Sequence, residues 1–521
     1  MIDHFREQHF FSASDSEMEF YERMLPTDHR LCQLVDAVDF EIFRPVVEGA
    51  YSDHGQPTGY AMIVFKLEIL KYFYNLSDRG VIERAATDVA FRWFIRLPID
   101  KTISDHTLLT RFRGRLGKEG YEEIFQRLIA EARKEGIVKD KLRLKDATHI
   151  LANISIPSTL SLLAQMREHL LKLIESIDPQ AAQGYWIALE SIRQQTSGSA
   201  DSIRLNQRIE LFEDILGCFR EKLEKGEVPS EKLGQWQPAL ELGEKIFSQK
   251  KQGKSEREIR SLVDPEAMRG KHGVYYDGYV LDVAMDADSE LITAINVLVA
   301  GGKESQGAVT LLEQETSVHG NHVEGLSIDG AGYDGAMIQR LEYSQAKPTQ
   351  VFVPPRKQPI NVSIGPQQFE LTTTSDGQEQ VRCPQGKYSH YRQRDEDGTI
   401  FRFTKETCES CLLFEQCCNR SEKSKFGRSV RKSDYEEQYE RIRARSQTAE
   451  FAEVRRRHPA IERKLNECVN HHGARRARYR GSGKIAVQML GVGLVTNLKR
   501  IANLVGLHLP SNSTTSPVAV S

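Results

Sequence analysis

Residues 322–335 read HVEGLSIDGAGYDG, and the α/β fold predicted for this chain rests mainly on them. The apolar run through Leu326 and Ile328 is typical of a buried strand, and Asp329 ends that run. The Gly-Ala-Gly that follows favours a sharp turn away from the sheet. A carboxylate placed where a strand of an α/β sheet stops lies at the edge where such proteins form their sites.

A second acidic residue, Asp146, has a similar context in LRLKDATHILAN, residues 142–153. Leu142 and Leu144 alternate with polar residues, which predicts a strand that ends at Asp146. The first candidate site therefore consists of two aspartates that each end a strand.

Residues 272–300 alternate between apolar and polar side chains and contain an Asp-Ala-Asp turn at 286–288, which predicts a hairpin. Helical and strand patterns then alternate up to the TQVFVPP strand. This order is typical of an α/β domain with a mixed sheet. One sheet forms only if strand 142–146 joins the strands of 274–299.

Composition and periodicity divide the 521 residues into segments of different character. Long amphipathic helices interrupt the α/β pattern and form an insertion, and the chain ends in a Ser/Thr/Pro-rich stretch that we expect to be disordered. The predicted segments are an N-terminal helical domain (1–136), an α/β core (137–154 and 266–365), a helical insertion (155–265), a Cys-rich insertion (366–430), C-terminal basic helices (431–508) and a tail (509–521).

A third acidic residue, Glu462, lies in RRRHPAIERKLNECVNHHGARRARYRG, residues 455–481, which is helical and basic. Two strand-end aspartates and one helix glutamate can converge to hold two divalent ions. Two such ions about 3.5–4 Å apart activate an attacking oxygen and stabilise a leaving one in phosphodiester chemistry. Each acid could instead be an ordinary turn or cap residue, and Glu467 and Asp334 are rival candidates.

Five of the eight cysteines cluster between residues 383 and 418. A Cys-x-x-Cys pair with outlying cysteines predicts a structural zinc site of four thiolates, with Cys418 as a spare. The alternatives are buried free thiols or a redox-labile cluster. The predicted zinc ligands are Cys383, Cys408, Cys411 and Cys417.

The formal net charge is only −2, but residues 420–500 contain 21 Lys and Arg against 9 Asp and Glu. A basic block of this kind indicates contact with phosphate backbone, although a solvated helix face has the same composition. The N-terminal helices could also include a helix-turn-helix, with Arg111, Arg113 and Arg115 on phosphates, or form a structural bundle. The predicted DNA-binding residues of the basic block are Arg455, Arg456, Arg457, Arg475, Arg476 and Arg478.

The N-terminal residues are charged and lack the apolar region of a signal peptide. The longest uncharged apolar run, IAVQMLGVGLVTNL at 485–498, is 14 residues, shorter than the roughly 20 of a membrane span and more typical of a buried helix. Eight cysteines in a chain of this size do not indicate a secreted disulfide scaffold. We therefore expect no membrane partner and a reduced, cytoplasmic, nucleoid-associated protein.

Over about residues 30–505 the sequence resembles the DDE transposases of bacterial insertion sequences. The resemblance is carried by the N-terminal helices that include ISDHTLLTRFRGRL, by KDATHILAN, by the hairpin DPEAMRGKHGVYYDGYVLDVAMDADSELI and by SIDGAGYDG. It implies an RNase H-like catalytic domain in which Asp146, Asp329 and Glu462 bind Mg²⁺ or Mn²⁺. The chain departs from the family at His458, where an Arg often precedes the glutamate by four residues.

The resemblance further implies an insertion-sequence transposase that acts on double-stranded DNA. Such an enzyme cuts the 3′ ends at its element's terminal repeats and uses the freed 3′-OH to attack target DNA. Cutting both ends together implies a homodimer on DNA. Two alternatives are an inactive or domesticated DNA-binding derivative and a metal-dependent nuclease without strand transfer.

Overall fold

A computed structural model of the chain describes most of its residues and permits a test of these expectations. The predicted tail at 509–521 lies outside the described part of the chain. The structure describes residues 12–51, 59–195, 197, 201–252, 258–302, 304–343, 347–356, 363–418 and 425–508.

The N-terminal region is helical, as predicted. Ser14 and Glu17 form a reciprocal capping box that starts the first helix, and Gly117, at φ +62°, interrupts the last one. The helices are α1 (Asp15–Met24), α2 (Arg30–Ala37), α3 (Arg44–Gly49), α4 (Gly59–Phe73), α5 (Asp78–Thr87), α6 (Val89–Ile95) and α7 (Thr107–Lys134).

The predicted mixed α/β sheet is confirmed. Its strand order is β2-β3-β1-β5-β6, with β4 also paired to β3. The β1–β3 and β3–β4 pairs are antiparallel, whereas β1–β5 and β5–β6 are parallel. The strands are β1 (Leu142–Leu151), β2 (Met268–His272), β3 (Val274–Asp286), β4 (Ile292–Val299), β5 (Gly325–Ser327) and β6 (Gln350–Phe352), with helices α12 (Glu304–His319) and α13 (Gly335–Tyr343) between them.

A separate helical unit fills the long connection between β1 and β2, where the sequence predicts an insertion. It has its own hydrophobic core, in which the ring of Trp236 stacks on that of Phe219 with centroids 4.0 Å apart. The helices are α8 (Thr159–Glu175), α9 (Pro179–Gln195), α10 (Asp201–Glu224) and α11 (Leu233–Gln252).

The Cys-rich segment forms two small antiparallel sheets and two short helices. Its last strand runs to Ser433, three residues past the predicted boundary at 430, because it pairs with the preceding strand from residue 398 onward. The elements are β7 (Glu370–Thr373), β8 (Glu379–Arg382), β9 (Tyr391–Asp395), β10 (Gly398–Arg402), α14 (Lys405–Glu409), α15 (Phe414–Cys417) and β11 (Ser429–Ser433).

The C-terminal region is helical and ends in a long central helix. The helices are α16 (Glu436–Arg445), α17 (Ala449–Arg457), α18 (Pro459–His472) and α19 (Ser482–His508). Within the described chain, residues 482–505 of α19 form the one helix long and apolar enough to cross a membrane, but 83% of its apolar window is buried inside the molecule. The helix therefore serves as a core element, as its composition indicates.

The N-terminal helices and the sheet share one hydrophobic core through α19, so the predicted boundary at 136 does not separate two cores. Two glycines permit this close packing. A Cβ atom on Gly491 would lie 2.5 Å from the ring of Tyr72 in α4. A Cβ atom on Gly493 would lie 2.2 Å from Ile295 in β4. The helix thus touches α4 and the sheet with its backbone.

Candidate active site

Asp146 lies inside strand β1 rather than at its end. The expectation of a strand that stops at 146 is wrong, because β1 continues to Leu151. Antiparallel pairing with β3 extends along this whole stretch, with Asp146 opposite Val283, and satisfies the backbone there. On the other side the parallel pairing with β5 stops at Leu144. Strand β1 therefore continues past Asp146, and it is the neighbouring strand β5 that ends at this level of the sheet.

Asp146 and Asp329 occupy equivalent positions beyond the last paired residues of two neighbouring strands. Leu144 of β1 pairs with Ser327 of β5, and each aspartate follows its paired residue by two. Side chains two residues apart along a strand point to the same face of a sheet. Leu144 contributes to the core shared with α17–α19, and Ser327 contacts the α17–α18 segment. By this alternation both aspartates lie on the α17–α18 face.

Each aspartate is held by a backbone N–H near its own position. An oxygen of Asp146 accepts from the N–H of Ala147 at 2.8 Å, and one of Asp329 accepts from the N–H of Ala331 at 3.0 Å. Burial is the main cause that raises the pKa of Asp146 to about 6. The Ala147 bond opposes this shift, while the negative charges of Asp329 and Glu304 add to it. Negative charge is thus concentrated at this end of the sheet.

Glu462 lies in the first turns of α18, the helix that Pro459 begins at its first position. Helix α18 packs against strand β1, and the side chain of Glu462 is exposed. The buried face of the helix includes instead Ile461, Lys464 and Leu465. Glu462 therefore stands beside the aspartates' face of the sheet without being buried in it.

Arg455, near the end of α17, binds the end of strand β5 and interacts electrostatically with all three acids. One guanidinium nitrogen donates to the carbonyl oxygen of Ile328 at 2.9 Å and to the hydroxyl of Ser327 at 3.2 Å. Burial lowers the pKa of Arg455, and the carboxylates of Asp329, Glu462 and Asp146 oppose that shift. The cation is therefore within electrostatic range of all three predicted acids, with the most effective interaction at Asp329.

His458, the position at which the sequence departs from the family, is buried beside this arginine. Its Nδ1 atom lies 3.0 Å from the hydroxyl of Ser327. Burial lowers the pKa of His458 to about 4, and the positive charges of Arg455 and Lys145 add to the effect. The imidazole is therefore neutral at physiological pH and helps to fix the end of β5.

Both rival acids have other partners. Glu467 forms ion pairs with Lys499 at 2.7 Å and with Lys464 at 3.2 Å. Asp334 accepts from the N–H of Met337 at 2.9 Å and thereby caps helix α13. These contacts give Glu467 and Asp334 structural roles, and Glu462 carries no such ion pair in the described part of the chain.

Sequence reasoning missed an ion cluster directly behind the aspartates. Lys145 and Asp282 are both fully buried, and their charged atoms lie 2.8 Å apart as an ion pair rather than an aligned hydrogen bond. Glu304, at the start of α12, lies 3.7 Å from the same ammonium group. The Gly301-Gly302 turn follows strand β4 and precedes Glu304. This turn is the sequence signal that could have located the cluster, since β4 ends at the same end of the sheet.

The residues that could hold a divalent ion are oxygen ligands, which is the donor type that Mg²⁺ and Mn²⁺ prefer. Within the described ranges, no three or more His, Cys, Asp or Glu side chains stand at the spacing of a metal site. The chemistry of the donor set nevertheless fits such an ion, because the charge of Asp329 adds to the negative potential at Asp146.

The predicted DNA-binding arginines divide into an exposed group and a group with partners elsewhere in the fold. The second group consists of Arg455, Arg457, Arg475 and Arg478. Arg475 donates to the carbonyl of His149 at 2.6 Å, and Arg478 donates to the carbonyl of Leu76 at 2.5 Å, so both brace the fold as Arg455 does. Arg457 pairs with Asp288 at 2.5 Å. The exposed members of the set are Arg456 and Arg476.

Of the arginines considered for a helix-turn-helix, Arg113 is tied into a network within the protein. Its side chain is 9% exposed, pairs with Glu68 and Asp78, and stacks over the ring of Tyr479. Arg111 pairs with Asp105 at the surface. Arg113 thus links the N-terminal helices to the C-terminal basic segment, which corresponds to the structural alternative for this residue.

The five clustered cysteines line one cleft of the Cys-rich segment. Cys408 is buried, and the thiol of Cys418 contacts those of both Cys408 and Cys417. The residue set aside as a spare in the sequence is therefore close to two of the predicted ligands.

Comparison with protein families gives two matches. Residues 19–115 match the family described as Transposase domain (DUF772), and residues 382–502 match the family described as Transposase DDE domain. The second match includes Glu462 and the cysteine cluster, whereas Asp146 and Asp329 lie between the two matched segments. Comparison with curated proteins gives no match.

The mixed sheet and the helical N-terminal region define an α/β protein, and the two matches place two of its segments in transposase domain families. More particularly, the two matches support a DDE transposase of an insertion element, in agreement with the resemblance found in the sequence. Transposases act on DNA, so the two matches support DNA in general as a partner of this chain.

Proposed function

We propose that this chain cleaves DNA at the ends of its element and transfers the freed 3′-OH to target DNA. Asp146, Asp329 and Glu462 are the catalytic residues in this proposal. The observation that carries it is the strand register, because Leu144 and Ser327 are directly paired and each aspartate follows two residues later on the same face.

The three acids are proposed to hold Mg²⁺ or Mn²⁺. When bound, a pair of such ions supplies the positive charge that phosphodiester displacement needs at its attacking and leaving oxygens. The fit rests on the oxygen donor set and on the electrostatic effect of Asp329 on Asp146.

Arg455 contributes positioning in this site. Its two donations to Ser327 and Ile328 fix the end of β5, and therefore the backbone from which Asp329 projects. Its charge also attracts the three carboxylates and so offsets the repulsion between Asp146 and Asp329. Both effects hold the acids together before substrate arrives.

The buried Lys145–Asp282 pair supports the same strand from the opposite face. Because Lys145 and Asp146 are adjacent in β1, their side chains point to opposite faces of the sheet. A buried ion pair between β1 and β3 restricts sliding of the two strands, and so fixes the position of Asp146 along β3.

DNA contact is proposed for the exposed arginines of the basic helices, above all Arg456 and Arg476. Lys and Arg neutralise phosphates and release counterions, so binding should weaken steeply with salt. Paired cutting of two element ends implies a homodimer on DNA, in a soluble protein of the cytoplasm and nucleoid.

The proposal is tested with purified protein and labelled DNA that carries the element's terminal repeats, in Mg²⁺ or Mn²⁺. We expect cleaved and joined products from the wild type and neither from Asp329→Asn, which should still bind the DNA. Cleavage without joining would identify a nuclease, and binding without cleavage would identify an inactive derivative. Either result would overturn the proposal.

A further inference from the structure

The Cys-rich segment, residues 363–433, has a small hydrophobic core. Its buried members come from loops, short strands and one helix, and they are Ile364, Phe369, Val381, Phe401, Phe403, Cys408 and Val430. A unit below about 70–80 residues rarely obtains sufficient stability from such a core and usually contains a staple such as a metal ion or disulfides. All eight cysteines of the chain are unpaired in the described structure, so no disulfide supplies that staple here.

The ends of the segment are joined, which makes it a closed unit. Lys432 donates to the carbonyl of Pro366 at 2.9 Å, and Arg428 donates to the carbonyl of Ile364 at 3.2 Å. Strand β11 then leads directly into α16 and the helices that carry Glu462. Ordering of the Cys-rich segment therefore affects the C-terminal helices that follow it.

Two backbone N–H groups point at cysteine sulfurs. The N–H of Lys387 donates to Cys383 Sγ at 3.3 Å, across a turn in which Gly386 adopts φ +74°. The N–H of Arg428 donates to Cys408 Sγ at 3.2 Å. Donors directed at sulfur favour the thiolate, and they are the kind of outer contact that orients thiolate metal ligands.

We propose that this segment binds one Zn²⁺ through Cys383, Cys408, Cys411 and one thiol of the adjacent Cys417–Cys418 pair. All five cysteines line the same cleft, and Cys408 and Cys411 belong to a turn closed by a 3.0 Å backbone hydrogen bond. Four thiolates around tetrahedral zinc are the usual arrangement of a closed structural site.

Zinc binding at this site requires side-chain rotation within the cleft. In the part of the chain that the structure describes, no three such ligands stand at metal-binding spacing. Cysteine χ1 rotation moves a sulfur without displacing the backbone, and the sulfurs of Cys383 and Cys408 already accept from backbone N–H groups. The pair at 417–418 supplies a single ligand, because the thiolates of Cys383, Cys408 and Cys411 leave one of four tetrahedral positions.

The experiment measures zinc per chain in the full-length protein, purified without chelator, by elemental analysis. We expect one zinc per chain in the wild type and its loss in Cys383→Ser and Cys408→Ser. The matched controls Cys32→Ser and Cys218→Ser, which lie on helices α2 and α10, should retain it. Zinc absent from the wild type, or retained at one per chain in Cys408→Ser, would overturn the proposal.

A second measurement covers variants that fail to fold. An organic mercurial titrated into the wild-type protein should release zinc to a chromophoric chelator in step with thiol modification. Thiol modification without zinc release would contradict the site and indicate free or redox-labile thiols. The zinc content does not depend on cleavage, and Asp146→Ala should retain it, so this proposal and the proposed function fail separately.

Discussion

Arg455 donates a hydrogen bond to the carbonyl oxygen of Ile328 at 2.9 Å, and so holds the residue immediately before Asp329 in place. The helix that carries Arg455 and the strand that carries Asp329 are more than 120 residues apart in sequence. Their contact joins the C-terminal helices to the end of β5, and it makes the position of one proposed catalytic residue depend on an arginine outside the acidic triad.

Replacing Arg455 with Gln should reduce cleavage by about 100-fold, as is usual when a charged donor is removed from a preorganised site. The neighbouring Arg456, a proposed DNA contact, is exposed and pairs with Glu453, so Arg456→Gln is the matched control and should cleave nearly as well as the wild type once the DNA is fully bound. Single-turnover cleavage rates at saturating protein separate these effects from DNA affinity. Equal rates for the two variants would remove Arg455 from the site.

Asp329→Asn should abolish cleavage while leaving DNA affinity intact, because an amide cannot supply the negative charge that a divalent ion requires. Asp334→Asn is the control, since Asp334 caps α13 and asparagine caps helices about as well as aspartate. Binding measured by gel shift and cleavage measured on the same DNA distinguish the two roles. A loss of cleavage in Asp334→Asn equal to that in Asp329→Asn would point to the rival acid.

Glu462→Gln should lose cleavage, whereas Glu467→Gln should retain it and lose stability. Burial acts to raise the pKa of Glu467, but its contact with His472 and the charges of Lys464 and Lys499 outweigh it and hold the pKa below the usual range. We expect Glu467→Gln to cost about 2 kcal/mol in the free energy of unfolding, which is typical of hydrogen bonds to charged groups.

That stability difference should depend on pH. Because the folded-state pKa of Glu467 is depressed, its contribution is fully present above the unfolded value of about 4.3 and disappears as pH falls toward the folded value. Urea unfolding of wild type and Glu467→Gln at pH 7 and near pH 3 should show the gap narrowing on acidification. A gap that stays constant or widens would show that the ion pairs do not stabilise the fold.

Gly491→Ala should destabilise the protein, because the added methyl group would meet the buried ring of Tyr72 at 2.5 Å. Overpacking of this kind costs about 1–3 kcal/mol. Gly483→Ala lies in the same helix with open space around it and should stabilise it by up to about 1 kcal/mol. Thermal unfolding of both variants gives the comparison, and a Gly491→Ala protein as stable as the wild type would contradict the close contact of α19 with α4.

Sheet class and insertions were predictable from the sequence because alternation and amphipathic periodicity are local patterns. The hairpin near 286–288 and the turn after Asp329 illustrate this. The length of β1 beyond Asp146 was not predictable, because it depends on pairing with β3, whose register is set more than 120 residues away.

In the candidate site too, local patterns predict some features and long-range packing determines the others. Glu462 and Glu467 have similar sequence contexts, and only the packing of α18 against α19 pairs the second of them with Lys499. The positions of Arg455 and Cys418 likewise depend on how helices and turns meet, which no local pattern specifies. The catalytic roles of Asp146, Asp329 and Glu462 remain predictions.

The central claim is that the acids on the α17–α18 face of the sheet catalyse both cleavage and strand transfer. The most direct test incubates purified protein, and its Asp146→Ala variant, with labelled terminal-repeat DNA and a target duplex in Mg²⁺ or Mn²⁺. We predict cleaved and joined products from the wild type, and from Asp146→Ala only a bound complex. Products that persist in Asp146→Ala would contradict the assignment of the site.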